Sequence, residues 1–214
     1  MAKKSDPVPE TTDTYSRLLE VAARHFADDG YKGASQRAIQ REAGVNPAAA
    51  HYYFGSKEAL YRAVVHSFIA GVQEERTTRL SSVPDTLTGR DRLKRLLKDY
   101  FEPSIAITST PAGQAYARIL ARAQLEGTNG PFDIFEAAAK PVRSLYVNAL
   151  VRLFPQADPA LVRIALLMGV SLMASTAASR ARSADESASD VAGRLADFAA
   201  AGIEALCGAA GEKV

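Results

Sequence analysis

The residues best suited to chemistry cluster between Lys32 and Lys57. Lys32, Arg37, Arg41 and Lys57 are basic there, and Glu42 is the single acid. Hydroxyl, amide and imidazole groups stand between them at Ser35, Gln36, Asn46, His51, Tyr52 and Tyr53. Cations interleaved with hydrogen-bonding groups suit the recognition of phosphates rather than the making of bonds. Constellations that make bonds do not stand out elsewhere. There is no Gly-x-Ser-x-Gly elbow and no glycine-rich nucleotide loop. The neighbouring acids Asp28 and Asp29, and Asp133 and Glu136, read as surface charge on helices. The histidines, His25, His51 and His66, do not fall at helical metal-ligand spacing, and Cys207 is the sole cysteine. The expectation is a protein that is not an enzyme and carries no metal, no cofactor and no internal disulfide.

Such groups need a rigid scaffold, and the hydrophobic period supplies a helical one. Nearly every long segment repeats its apolar residues at helical spacing, and no strand alternation persists. The first helix is expected from about Thr12 to Asp29, with Tyr15, Leu18, Leu19, Ala22 and Phe26 on one stripe and Gly30 as its stop. Ser35 caps a second helix that ends before Gly44. Asn46 caps a third, with Pro47 at its first position, where a missing N–H costs nothing. Ser56 caps a long fourth helix that turns Leu60, Val64, Phe68 and Val72 inward. Five more are expected at about Arg90–Phe101, Gly113–Glu126, Pro131–Phe154, Pro159–Arg182 and Ser187–Cys207. Pro103 and Pro111 are expected to bound a loop, and Pro141 to kink or split its helix. The fold class is therefore all-α, with about nine helices. Residues 1–55 form a three-helix unit, in which 1–10 are a flexible arm, and residues 56–214 form a second helical unit.

The second and third helices, joined through Gly44, have the pattern of a helix-turn-helix. Ile39, Val45, Ala50 and Phe54 face the core. Pro47, Ala48, His51 and Tyr52 are left on the outer face of the third helix, which has no acid.

From Tyr15 to Val65 the sequence resembles the DNA-binding domain of TetR-family repressors. The resemblance runs through Ala22-Ala23, Phe26, Gly30-Tyr31, Ile39, Ala43-Gly44-Val45-Asn46, Tyr52-Tyr53-Phe54, Ser56-Lys57-Glu58 and Leu60. It implies that Ser35 and Gln36 meet phosphates, that Arg37 reaches a base edge or a phosphate, and that Pro47, Ala48 and His51 face bases. It implies that Tyr53 and Lys57 clamp phosphates, with Asn46 and Tyr52 on the same surface. The sequence departs from the family pattern at Ala49, where Ser or Thr is usual, and at Ala50, where a larger aliphatic is usual. It departs again at His51 for Tyr and at Tyr53 for His. Ala48 and Ala49 offer methyl groups that suit thymine.

The remainder diverges, as effector domains of this family do, and only residue types guide its reading. Helical bundles hold ligands between facing helices. Phe68, Phe101, Ile105, Tyr116, Leu120, Phe135, Tyr146 and Met168 are candidate lining residues, with Gln114 or Arg118 as polar anchors; the alternative for each is plain core. The last two helices are the dimer candidates. Gly169, Ala174 and Ala178 permit close approach, and Leu195, Phe198, Ile203 and Leu206 give an apolar face. The partners implied are double-stranded operator DNA, a second copy of the chain and a small-molecule effector that releases the DNA.

Bulk composition limits the alternatives. The 214 residues are 47% hydrophobic and 23% charged with a net charge of +2, so any basic footprint is local. The longest uncharged apolar run, Ile164 to Ser179, reads as a buried helix rather than a membrane span. No leader is read at the polar N-terminus, and a cytoplasmic location is expected. Lys3 and Lys4 read as a minor-groove arm or a solvated tail. The cluster Arg90, Arg92, Lys94, Arg95 and Lys98 reads as a solvated face, because Asp91 and Asp99 accompany it. Two rival readings stay open: a DNA-binding protein without an effector, and a helical scaffold that binds no DNA.

Overall fold

The computed structural model describes residues 10–126, 131–180 and 186–208. Among them stand nine α-helices and no strand: α1 (Glu10–Gly33), α2 (Gln36–Glu42), α3 (Pro47–Phe54), α4 (Lys57–Ser81), α5 (Gly89–Ala106), α6 (Pro111–Glu126), α7 (Pro131–Val151), α8 (Pro159–Arg180) and α9 (Ala188–Cys207). Lys3 and Lys4, the arm at 1–9 and the expected α8 terminus at Arg182 lie outside the described residues.

Local capping chemistry sets the short helices. The Ser35 hydroxyl accepts from the Ala38 N–H at 3.4 Å, Asn46 Oδ1 from the Ala49 N–H at 2.7 Å, and Ser56 Oγ from the Ala59 N–H at 3.0 Å. Pro47 opens α3. At Gly30 (φ 72°, ψ 174°) the regular turns of α1 break, and a further turn runs on to Gly33.

One expectation about proline is corrected, and of the two outcomes expected at Pro141 the split is ruled out. The loop expected to begin at Pro103 is helix: α5 runs through it to Ala106, and only then does a short 3-10 turn, Ile107–Ser109, intervene. The apolar stripe of Leu93, Leu97, Phe101 and Ile105 is buried, and its burial outweighs one lost backbone hydrogen bond. Pro141 does not split α7, which is one element around it. Pro141 and Ala137 are both exposed residues, so the Ala137 carbonyl, which Pro141 deprives of its helical N–H partner, lies at the surface-facing side of α7.

Buried side chains fall into two clusters. The first joins α1–α4 to the facing sides of α6 and α7 through Phe26, Ile39, Tyr61, Tyr116 and Phe135. It therefore crosses the expected division at residue 55. The second joins α5, α8, α9 and the end of α7 through Leu96, Phe101, Tyr146, Leu166 and Ala200. Helix α8 is long and apolar enough to cross a membrane, by length and composition alone; here it packs against α5, α6, α7 and α9.

Candidate nucleic-acid interface and its connected cavity

The corner of α2 and α3 is a turn at Gly44, φ +64°, with Val45 N–H donating to the Gln40 carbonyl at 2.9 Å. Ile39, Ala43, Val45 and Ala50 are buried beneath it. This leaves one surface bearing Ser35, Arg37, Asn46, Pro47, Ala48, His51 and Tyr52, all exposed. Tyr52 stands out at 84% exposure. Its ring meets that of Tyr53 edge-on at 5.6 Å. Gln36 is half-buried; with Gln40, Pro47 and His51 it borders a cleft between α2 and α3.

Two of the expected phosphate clamps are already engaged. The Tyr53 ring meets Tyr15 edge-on at 6.0 Å, while Tyr15 stacks on Phe54 at 5.1 Å. These rings fix the end of α3 to α1. Lys57 Nζ donates to the Lys32 carbonyl at 3.1 Å and lies 5.0 Å from the Tyr31 ring centroid. It thus ties the first turn of α4 to the end of α1 while presenting its charge beside the recognition surface.

The single acid of this segment is drawn away into a network on α1. Glu42 accepts from Arg24 Nη2 at 2.9 Å, and its other oxygen lies 2.9 Å from His25 Nε2. These hydrogen bonds, Arg24's first and His25's second, hold its carboxyl below the usual range. The first turns of α2 and α3 carry no acid. The outer surface is left to Lys32, Arg37, Arg41 and Lys57, as approach to a polyanion requires.

Behind this unit lies a cavity of about 330 Å³ between α4, α5, α6, α7 and α8. It brings together only three of the expected lining residues, Tyr116, Leu120 and Phe135. Phe101 and Ile105 are fully buried in the second core cluster instead. Tyr146 is buried too, its hydroxyl donating to the Arg76 carbonyl at 2.8 Å. Phe68, Gln114 and Arg118 border a separate groove between α1, α4 and α6. Met168 is 59% exposed on the opposite side of α8. Two buried arginines, Arg76 and Arg143, went unread on the cavity wall. The signal for Arg76 was present: Ile69, Val72 and Arg76 continue the inward stripe of α4 at helical spacing.

On the outer side of α8 and α9, the small residues proposed for subunit contact are largely spent within the chain. Gly169 packs on Phe101 and Ala199, and Ala174, Leu195 and Ile203 are buried. Ala178 is half-buried, and Phe198 and Leu206 point outward. The residues exposed beside them are Ile164, Met168 and Leu172, so the unpartnered apolar face consists of these five. Among the described residues no cluster of His, Cys, Asp and Glu could hold a metal ion.

Among the described residues the fold is all-helical, and two short capped helices meet at a glycine turn, α2 bringing Arg37 and Arg41 and α3 no acid to the outer surface, which is the form of a helix-turn-helix DNA-binding unit. Comparison with known proteins narrows the class. Residues 18–64 match the family of bacterial regulatory proteins of the TetR type, and residues 98–202 match the tetracyclin repressor-like C-terminal domain. The HTH-type transcriptional regulator BetI of Rhizobium meliloti (strain 1021) is 33% identical over 84 residues, which are 39% of this chain and 40% of that protein. The chain thus matches less than half the length of this curated relative. Among solved structures, the transcriptional regulator FadR from Bacillus subtilis in complex with stearoyl-CoA superposes with a TM-score of 0.63 at 15% identity, over 88% of this chain and 98% of that one. A TetR-like transcriptional regulator from Rhodococcus sp. RHA1 gives 0.61 at 19% identity, over 92% and 100%. The chain belongs to the TetR family of transcriptional regulators, DNA-binding proteins that are not enzymes.

Proposed function

We propose that the protein is a repressor that grips a palindromic operator as a homodimer and releases it when a small molecule fills the cavity behind the helix-turn-helix unit. Residues 1–55 act as the DNA reader and residues 56–214 as the effector-binding and dimerising unit, in the cytoplasm. Pro47, Ala48 and His51 face bases, Tyr52 flanks them, and Ser35, Gln36, Arg37, Asn46, Tyr53 and Lys57 position the phosphates.

The observation that carries this reading is the continuity of α4. Its first residue, Lys57, is bonded to Lys32 at the end of α1, just before the DNA-reading helices α2 and α3. Nineteen residues on, about 28 Å along the axis, Arg76 stands on the cavity wall. A ligand that displaces the far end of a rigid rod displaces the near end as well. In a dimer, that changes the separation of the two α3 helices, which must lie about 34–36 Å apart, or a multiple of it, to enter successive major grooves. A second route runs from α6: Arg122 Nη2 donates to the Asp28 carbonyl at 2.7 Å and Arg118 pairs with the Asp28 carboxylate at 3.2 Å. The coupling is reciprocal, so DNA weakens effector binding by the same factor.

The subunits meet through Ile164, Met168 and Leu172 of α8 and Phe198 and Leu206 of α9. Apolar side chains at this exposure on two adjacent helices suit a two-fold four-helix interface. Light scattering on protein–duplex mixtures tests the assembly. Wild type should place two chains on one duplex, and Phe198→Glu should yield monomers that lose sequence-specific retardation. A Phe198→Glu monomer that binds its DNA as tightly as wild type would remove the dimer from the account.

A further inference from the structure

The two arginines of the cavity are compensated differently. Arg143 is held at two points by the Glu136 carboxylate on its own helix. Arg76, only 3% exposed, has no such partner. Its Nε donates to the Tyr100 carbonyl at 2.8 Å and its Nη2 to the Ser104 hydroxyl at 2.8 Å. Nη1 reaches Gln73 Oε1 only at 3.5 Å, the outer limit of a hydrogen bond. The guanidinium carbon lies 3.9 Å from the Tyr100 ring centroid. All these groups are neutral. The acids of the neighbouring helix are already taken: Asp99 accepts from Arg95 at 2.6 Å and Glu102 from Arg79 at 2.9 Å. Among the described residues Arg76 forms no ion pair.

A buried cation balanced only by neutral acceptors is an expensive arrangement. The other unmet group nearby is a donor too. Gln73, 8% exposed, keeps an amide Nε2 without an acceptor. What this end of the cavity lacks is one negative charge with acceptor oxygens. Away from Arg76 the wall is mostly apolar, formed by Ile69, Leu120, Phe135, Leu167 and Val170, with Gln124, Ser171 and the mutually paired Glu136 and Arg143 as its polar members.

We infer that the effector is a monocarboxylate with an apolar body, its carboxylate paired to the Arg76 guanidinium and its body held between α4, α6, α7 and α8. One unpaired cation matches one negative charge; a doubly charged phosphate monoester would want a second, and Arg143 is occupied by Glu136. A guanidinium fork offers two parallel N–H groups to a carboxylate, and Nη1, which now makes only the long contact to Gln73, is free to swing onto it. About 330 Å³ lies at the small end of ligand pockets, so the body is compact. This inference rests on the reading of the cavity as the effector site.

Calorimetric titration of the full-length protein tests it, with octanoate and 4-phenylbutyrate as probes against the primary alcohols of the same length. In wild type at least one acid should bind, and more tightly than its alcohol by about tenfold or more, the margin of a charge-assisted hydrogen bond. Arg76→Met should abolish the preference for acid over alcohol while the folded variant still retards DNA. If that variant fails to fold, the wild-type comparison of acid with alcohol decides alone. Equal binding of acid and alcohol, no binding of either acid up to about 10 mM, or an intact preference in Arg76→Met would overturn the inference. An acid that binds with the expected preference yet leaves DNA bound upholds the carboxylate site and removes the release mechanism instead.

Discussion

Lys57 offers the sharpest test of the DNA-reading surface, because its role as a strut in the structure and the phosphate role proposed for it are separable. As a strut it donates to the Lys32 carbonyl at 3.1 Å and lies 5.0 Å from the Tyr31 ring centroid. Both contacts are partly solvated, so losing them in Lys57→Ala should lower folding stability by only about 1 kcal/mol. As a phosphate ligand it does something else. Each neutralised phosphate releases counterions and contributes about 0.9 to the slope of log affinity against log salt, hence about 1.8 for two protomers. Between about 0.1 and about 0.3 M salt the wild-type advantage over Lys57→Ala should therefore shrink roughly sevenfold. Fluorescence anisotropy of a labelled duplex across that range reads this directly, alongside a denaturant titration of each protein. Parallel lines, with weaker binding but an unchanged slope, would show that Lys57 acts only as a strut. A changed base preference would refute the phosphate role as well.

Three other outcomes follow from named contacts. His51 is exposed on the outer face of α3, where its ring nitrogens can reach base edges, so His51→Ala should weaken binding to the preferred sequence by about 1–3 kcal/mol and leave unrelated duplexes nearly unaffected. Titrations of both duplexes with wild type and His51→Ala check it, and identical curves would take His51 off the reading surface. At Gly44 the backbone sits at φ +64°, yet an added Cβ would meet nothing within 4 Å. Gly44→Val should therefore still fold but lose about 1–3 kcal/mol of unfolding free energy by denaturant titration, all of it backbone strain, and undiminished stability would contradict the turn geometry. The double variant Arg118→Ala/Arg122→Ala should stay folded within about 1–2 kcal/mol, since its ion pair is solvated. It should weaken the coupling between effector and DNA, measured as the ratio of DNA affinities with and without ligand; an unchanged ratio would leave α4 as the only route.

How much of this was legible in the sequence depended on whether the cause was local. Ser35, Asn46, Pro47 and Ser56 act on their own helix ends, so the boundaries of α2, α3 and α4 could be read from residue type alone. Pro103 was misread because its local message, to stop the helix, is overridden by burial of Phe101 and Ile105 against α8 and α9, elements far along the chain. In α8 the apolar residues run nearly all round, so periodicity could not say which side faces inward. Gly169 and Ala174 proved to be interior and Met168 exterior. The cavity suffered most. Aromatic type drew Phe101 and Tyr146 into the expected lining, although both are packed in the core, while Arg76 was passed over because a charged residue on an apolar stripe looks like an interruption. Only the packed structure shows that this cation is buried and lacks a carboxylate.

The central claim is that two copies of α3 read a symmetric DNA sequence. Selection of bound duplexes from a random pool by the full-length protein tests it most directly. The account predicts an enriched inverted repeat whose half-site centres lie about one helical turn, 10–10.5 base pairs, or a multiple of it apart, and its enrichment should collapse for Pro47, Ala48 and His51 substituted together. A pool that shows no enrichment, or an enriched sequence without two-fold symmetry that survives that triple substitution, would contradict it.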